Sequence, residues 1–95
     1  MLLSAEIISA FNHAFQDAKK RGEQEPTAMT LATSDGKGHV TSRTVLLKAL
    51  DENGFVFFTN TQSTKGRQMA LCPRVSATFF WKVTGVQVQL VGNVT

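Results

Sequence analysis

Turn-forming clusters cut the sequence beyond Pro26 into short runs whose apolar residues recur at every second position, a pattern that only a sheet built from hairpins satisfies. The run 86–94 shows it most cleanly, with Val86, Val88 and Leu90 on one side and Gln87 and Gln89 on the other. Runs 29–33 and 39–50 flank Ser34-Asp35-Gly36-Lys37-Gly38, a hairpin signal, and Asp51-Glu52-Asn53-Gly54 turns the chain into 55–59. A meander of three antiparallel strands is therefore expected. Residues 65–71 predict a short helix capped by Ser63 or Thr64 and stopped by Pro73, followed by strands at 75–81 and 86–94 joined at Thr84 and Gly85. Five strands fit a small barrel or half-barrel. Its open edges call for a partner subunit or further sequence to cover them.

Ahead of Pro26 the period is helical. Ile7, Phe11, Phe15 and Ala18 recur on one face behind a Ser4 cap, and Lys19, Lys20 and Arg21 precede Gly22 as cations do at a helix C-terminus. This predicts one amphipathic helix over 4–21, then a connector. With 95 residues, 42% apolar and 18% charged, the chain is expected to form a single domain: helix and connector in 1–25, barrel in 26–95. Apolar runs such as Val45–Leu47 and Phe55–Phe58 fall far short of the roughly 20 residues that span a bilayer. Glu6 interrupts the apolar N-terminal stretch, which lacks a basic leader. A cytoplasmic protein with no membrane partner is expected. One cysteine, Cys72, and two histidines, His13 and His39, supply neither a disulfide nor a metal cluster.

Charge is unevenly placed. Residues 1–30 carry three bases and four acids, whereas 31–95 carry seven bases and three acids, none of the acids beyond Glu52. The distribution is that of a solvated basic face or of a site for an anionic ligand. Three polar clusters are candidates. In Arg43–Lys48 two cations bracket an apolar strand; they either flank a core strand at the surface or serve a ligand, and alternation puts Arg43 with Val45 and Leu47 but Lys48 with Leu46. The two cations converge only if a bulge or the strand end redirects one. Thr59–Gly66 is a hydroxyl-rich loop with Lys65 at a helix start, either an ordinary cap or a phosphate cradle, and its spacing is not that of a nucleoside triphosphate loop. Gln87, with Gln89, either faces water or offers an amide donor and acceptor to a heterocycle edge. No nucleophile–base–acid constellation can be assembled, so any enzymatic chemistry falls to a cofactor.

Taken in order, PTAMTLAT, RTVLLK, GFVFFTN, STKGRQ, CPRVSATFFW and VQVQLVGNV resemble the pyridoxamine 5'-phosphate oxidase family of FMN-binding split barrels. The resemblance runs from about Pro26 to Thr95. It implies a mainly β (α+β) fold, an antiparallel split β-barrel with an N-terminal helix and a short helix between the third and fourth strands. It also implies a homodimer with FMN in the interface cleft. By the same resemblance Arg43 and Lys65 hold the FMN phosphate, helped by Thr59 and Ser63 in a loop that includes Phe58 and Thr64. Thr44, Val45, Leu46 and Leu47 line the ribityl and ring region, Lys48 reaches both FMN and the substrate phosphate, and Gln87 contacts the flavin ring.

Three positions depart from the pattern that the resemblance sets. Phe58 stands where tyrosine is usual, Thr64 where a second phosphate-binding arginine is common, and Val86 where arginine usually precedes the glutamine. One missing arginine removes about 1.5–3 kcal/mol of charge-assisted hydrogen bonding, so weaker FMN binding is expected. The family's grip on the substrate phosphate lies in a later segment, to which no residue here corresponds. The implied activity is oxidation of pyridoxamine or pyridoxine 5'-phosphate to pyridoxal 5'-phosphate with oxygen as acceptor. The alternatives are a shortened or non-catalytic flavin-binding relative and, least in keeping with the core-like spacing of Phe55 and Phe57, a nucleic-acid-binding barrel.

Overall fold

A computed structural model of the chain describes residues 5–51, 54–57 and 64–93. The elements are α1 (Ala5–Lys20), β1 (Ala28–Ser34), β2 (Val40–Asp51), β3 (Gly54–Phe57), α2 (Thr64–Leu71), β4 (Arg74–Trp81) and β5 (Val86–Asn93). All five strands join one antiparallel sheet in the order β3-β2-β1-β4-β5. This is the expected half-barrel, a curled sheet whose concave face holds the core.

Register explains which side chains enter that core. Met29 pairs with Val45, Leu31 with both Arg43 and Ala77, Phe79 with Val88, and Trp81 with Val86. Alternation along each strand therefore sends Met29, Leu31, Val45, Leu47, Ala77, Phe79 and Trp81 inward, and all are buried. Helix α1 closes this face with Phe11, whose ring lies 5.0 Å from Phe55, 5.1 Å from Phe79 and 5.6 Å from Trp81. Phe15 and the fully buried Ala18 continue the stripe, while Ile7, at the start of the same helix, stays half exposed. The indole Nε1–H of Trp81 donates to the carbonyl of Pro26 at 2.9 Å, which pins the connector between α1 and β1 to the core.

The β1–β2 connection is built by its side chains. Asp35 Oδ1 accepts from the backbone N–H of Lys37 (2.7 Å) and of His39 (3.2 Å), and Ser34 Oγ accepts from Gly36 N–H (2.9 Å). Gly36 and Gly38 have φ of 80° and 98°, a region that other residues enter only at a cost. Between β2 and β3 the register shifts: Leu47 pairs with Phe57 but Ala49 pairs with Val56, so Lys48 is the extra residue of a β-bulge. The bulge changes the phase of β2. Leu50 packs against the core and Ala49 is exposed, the reverse of what unbroken alternation from Leu47 dictates.

Candidate functional site

The candidate residues of β2 divide between the two faces of the sheet. Arg43, Val45 and Leu47 point into the concave side, whereas Thr44 and Leu46 are exposed on the convex side. Val45 and Leu47 are core side chains, so contact from these two positions to a ligand outside the core falls to their backbone. Gln87 also lies on the convex side. It pairs with Phe80, and the rows Leu46–Ala28, Phe80–Gln87 and Thr44–Thr30–Thr78–Gln89 cross that surface side by side. Phe80 is 60% exposed and Val91 57%, with Leu46 and Val56 also open to solvent, so this is an amphipathic surface of threonines, glutamines and large apolar groups.

Arg43 occupies the other end of the concave face from the aromatic cluster. Its Nη1 donates to the carbonyl of Leu31 (3.0 Å) and to Thr33 Oγ1 (2.9 Å), and its Nη2 donates to Thr41 Oγ1. Among the described residues, the Nε–H and one Nη2–H have no acceptor. Burial lowers the guanidinium pKa from its ordinary value, and it remains a cation at physiological pH. Beyond the two threonines stands Gln68 of α2, buried at 7% exposure, whose Oε1 accepts from Thr33 Oγ1 (2.5 Å) and Thr41 Oγ1 (2.7 Å). The amide Nε2 donates to the carbonyl of His39 at 3.4 Å.

Lys48 sits apart from this group. The bulge places it beside a cleft of about 170 Å³ bordered by Phe11, Asn12 and Phe15 of α1 and by residues 47–50. Thr64 and Lys65 open α2, one turn ahead of Gln68. Phe58, Thr59 and Ser63 lie outside the described residues. The structure thus brings Arg43 to α2, leaves Lys48 beneath α1, and puts Gln87 with Thr44 and Leu46 on the opposite surface.

Thr33, Thr41 and Gln68 were not singled out by the sequence reading. A signal exists for one of them. Thr33 continues the alternation of Met29 and Leu31, which sets a hydroxyl at a core position, and a buried hydroxyl requires a partner. Thr41 and Gln68 carry no such mark.

The curled five-stranded antiparallel sheet with its two helices defines a split-barrel fold. It superimposes on PhzG from Burkholderia lata 383, solved in complex with tetrahydrophenazine-1-carboxylic acid, with a TM-score of 0.87 and 29% identity over 90% of this chain and 43% of that one. A pyridoxamine 5'-phosphate oxidase-related, FMN binding protein from Nostoc punctiforme PCC 73102 shares the fold at a TM-score of 0.79 and 24% identity, covering 100% of this chain and 48% of that chain. At the level of sequence, the family described as Pyridoxamine 5'-phosphate oxidase matches residues 15–95. The chain belongs to the pyridoxamine 5'-phosphate oxidase family. It is 52% identical to the pyridoxine/pyridoxamine 5'-phosphate oxidase of Pseudomonas paraeruginosa strain PA7, over 95% of this chain and 43% of the relative. With the enzyme of that name from Xylella fastidiosa strain Temecula1 it shares 44% identity, over 97% of this chain and 46% of the relative. The chain spans less than half the length of these relatives. Among the described residues no helix is long and apolar enough to cross a membrane.

Proposed function

We propose that this chain is the FMN-binding part of an oxidoreductase that converts pyridoxamine or pyridoxine 5'-phosphate to pyridoxal 5'-phosphate, with oxygen as acceptor, in a cytoplasmic homodimer. Residues 26–95 form the flavin-binding unit and 1–25 its N-terminal helix and connector, within one domain. One observation carries the reading: Arg43 is anchored by Leu31, Thr33 and Thr41, while its Nε–H and one Nη2–H have no acceptor among the described residues. A half-buried cation with directed donors left over suits a phosphate, which takes paired charge-assisted hydrogen bonds. Lys65, Thr64, Ser63 and Thr59 complete that phosphate site in this reading.

In this reading Gln87, Thr44 and Leu46 meet the ring and ribityl chain and Lys48 serves FMN and the substrate phosphate; because Arg43 lies on the opposite face of the sheet, a flavin that meets both sets lies in a cleft between two subunits. Flavin on this surface accounts for its mixture of exposed apolar groups and amides. A second subunit covering the remainder accounts for the open edges at β3 and β5. FMN, when bound, supplies the hydride acceptor for the substrate's 4'-carbon and passes the electrons to oxygen, giving hydrogen peroxide. The protein binds, orients and shields, which fits a site without a catalytic triad. The vitamer substrate is favoured over a phenazine precursor because the similarity to the vitamer oxidases is 44–52% and that to PhzG is 29%.

The test is an FMN titration of the purified protein, followed by visible absorption with light scattering on the same sample. A flavin spectrum on a dimer is expected. Arg43→Ala should weaken FMN binding by about 1.5–3 kcal/mol with the fold intact, and unchanged affinity would remove Arg43 from the site. A flavin-loaded dimer that does not turn over pyridoxamine 5'-phosphate would establish the non-catalytic alternative.

A further inference from the structure

We propose that Gln68 is a positioning residue for the phosphate site: through the hydroxyls of Thr33 and Thr41 it fixes the orientation of Arg43 and ties that cation to α2. The inference rests on the reading of Arg43 as a phosphate-binding residue. Its physical basis is the direction of each hydrogen bond. A guanidinium only donates, so both hydroxyls must accept from Arg43, at 2.9 Å for Thr33 and in a second bond for Thr41. Each hydroxyl proton then needs an acceptor elsewhere. The Oε1 of Gln68 takes both, at 2.5 Å from Thr33 and 2.7 Å from Thr41, using its two lone pairs. The Nε2 bond to the His39 carbonyl assigns the two ends of the amide.

Packing alone does not account for glutamine here. A leucine or methionine would fill the same buried position without the desolvation cost of an amide, but it would leave both hydroxyl protons without an acceptor among these partners. Thr33 and Thr41 are direct cross-strand neighbours, so their hydroxyls stand side by side and present a pair of acceptors to the two terminal nitrogens of Arg43. Gln68 lies one turn inside the helix that Thr64 and Lys65 open. The same bonds that orient the guanidinium therefore also set its separation from the start of α2. An oxyanion held between the two would meet donors already in place, with less ordering left to binding.

FMN and riboflavin separate this role from a general one, because riboflavin keeps the ring and ribityl chain and lacks the phosphate. Dissociation constants for both would be measured on the unaltered protein and on Arg43→Ala, Gln68→Leu, Thr41→Val and Thr41→Ser. Gln68→Leu and Thr41→Val should each weaken FMN about three- to tenfold and leave riboflavin within about twofold. Thr41→Ser, which keeps the hydroxyl, should bind FMN as the unaltered protein does. Thr41 is exposed, so its variants decide the matter even if Gln68→Leu fails to fold. Unchanged FMN affinity in Gln68→Leu and Thr41→Val, with Arg43→Ala weakened, would overturn the positioning role and leave Arg43 in the site. Equal losses for FMN and riboflavin would also overturn it, as the mark of a merely structural role. If Arg43→Ala does not alter the preference for FMN over riboflavin, the phosphate reading fails and this inference with it.

Discussion

The two ends of the concave face are closed by opposite chemistry. At one end Phe11 of α1 meets Phe55, Phe79 and Trp81 at ring separations of 5.0–5.6 Å; at the other Gln68 of α2 meets Thr33 and Thr41, which in turn hold Arg43. Burial of rings is non-directional and scales with area, so that end asks for bulk and shape. Burial of an amide and hydroxyls requires every donor to find its acceptor, so the polar end asks for particular atoms in particular directions. The first closure can supply stability without specifying a site. The second supplies less stability and fixes a cation.

The largest expected effect is at the aromatic end. Phe79 is 0% exposed and touches Phe11, Phe55 and Trp81, so Phe79→Ala removes a buried ring and leaves a cavity that α1 and the sheet fill only in part. A loss of about 3–5 kcal/mol is expected in urea denaturation, a large share of the roughly 5–15 kcal/mol that holds a typical domain together. A loss below about 1 kcal/mol would break the contrast, since the rings would then not be what closes that end.

At the polar end the sign of the effect is the sharper observation. Gln68→Leu increases the apolar surface buried, and bulk alone would make it neutral or stabilising. We expect it to destabilise by about 1–3 kcal/mol, because the buried Thr33 hydroxyl loses its acceptor. In a Thr33→Val background the loss should shrink by a coupling of about 0.5–3 kcal/mol, measured as a double-mutant cycle in the same denaturation experiment. Additive losses would mean that Gln68 and Thr33 do not act through the bond between them.

The same contrast decides what could be read from the amino-acid sequence. The aromatic end was legible because Phe11, Phe15 and Ala18 repeat at helical spacing and Ala77, Phe79 and Trp81 alternate along a strand; periodicity reports faces, and faces are what apolar burial uses. The hairpin turns account for the β1-β2-β3 and β4-β5 neighbours but not for the β1–β4 pairing that joins them, and alternation correctly set Arg43 with Val45 and Leu47. The polar end was not legible, since Thr41 and Gln68 lie 27 residues apart and nothing periodic joins them. The bulge at Lys48 was equally hidden: Leu46-Leu47-Lys48-Ala49-Leu50 fits either phase of alternation, and pairing with Phe57 and Val56 is what selects one.

The smallest expected effect lies in the turn that borders the polar end, where His39 offers its carbonyl to Gln68. Asp35 accepts from the Lys37 and His39 backbone N–H groups and its Oδ2 lies 2.6 Å from His39 Nδ1. The Lys37 N–H first, and the His39 ring after it, hold the carboxyl below its ordinary pKa of 3.8. A depressed folded-state pKa means that the stabilisation is fully present above the unfolded value, near 3.8, and is lost as pH falls through the lower folded value. Asp35→Asn removes the charge while keeping one acceptor, so it should be less stable than the unaltered protein at neutral pH. In denaturation curves taken across acid pH that gap should close below 3.8. The turn is exposed and the effect modest, and it is the one most easily separated from the others, because neither the rings nor the Gln68 amide titrates in that range. A gap of the same size at neutral and at strongly acid pH would show that Asp35 acts through turn geometry alone, and the polar end would then owe nothing to charge outside Arg43.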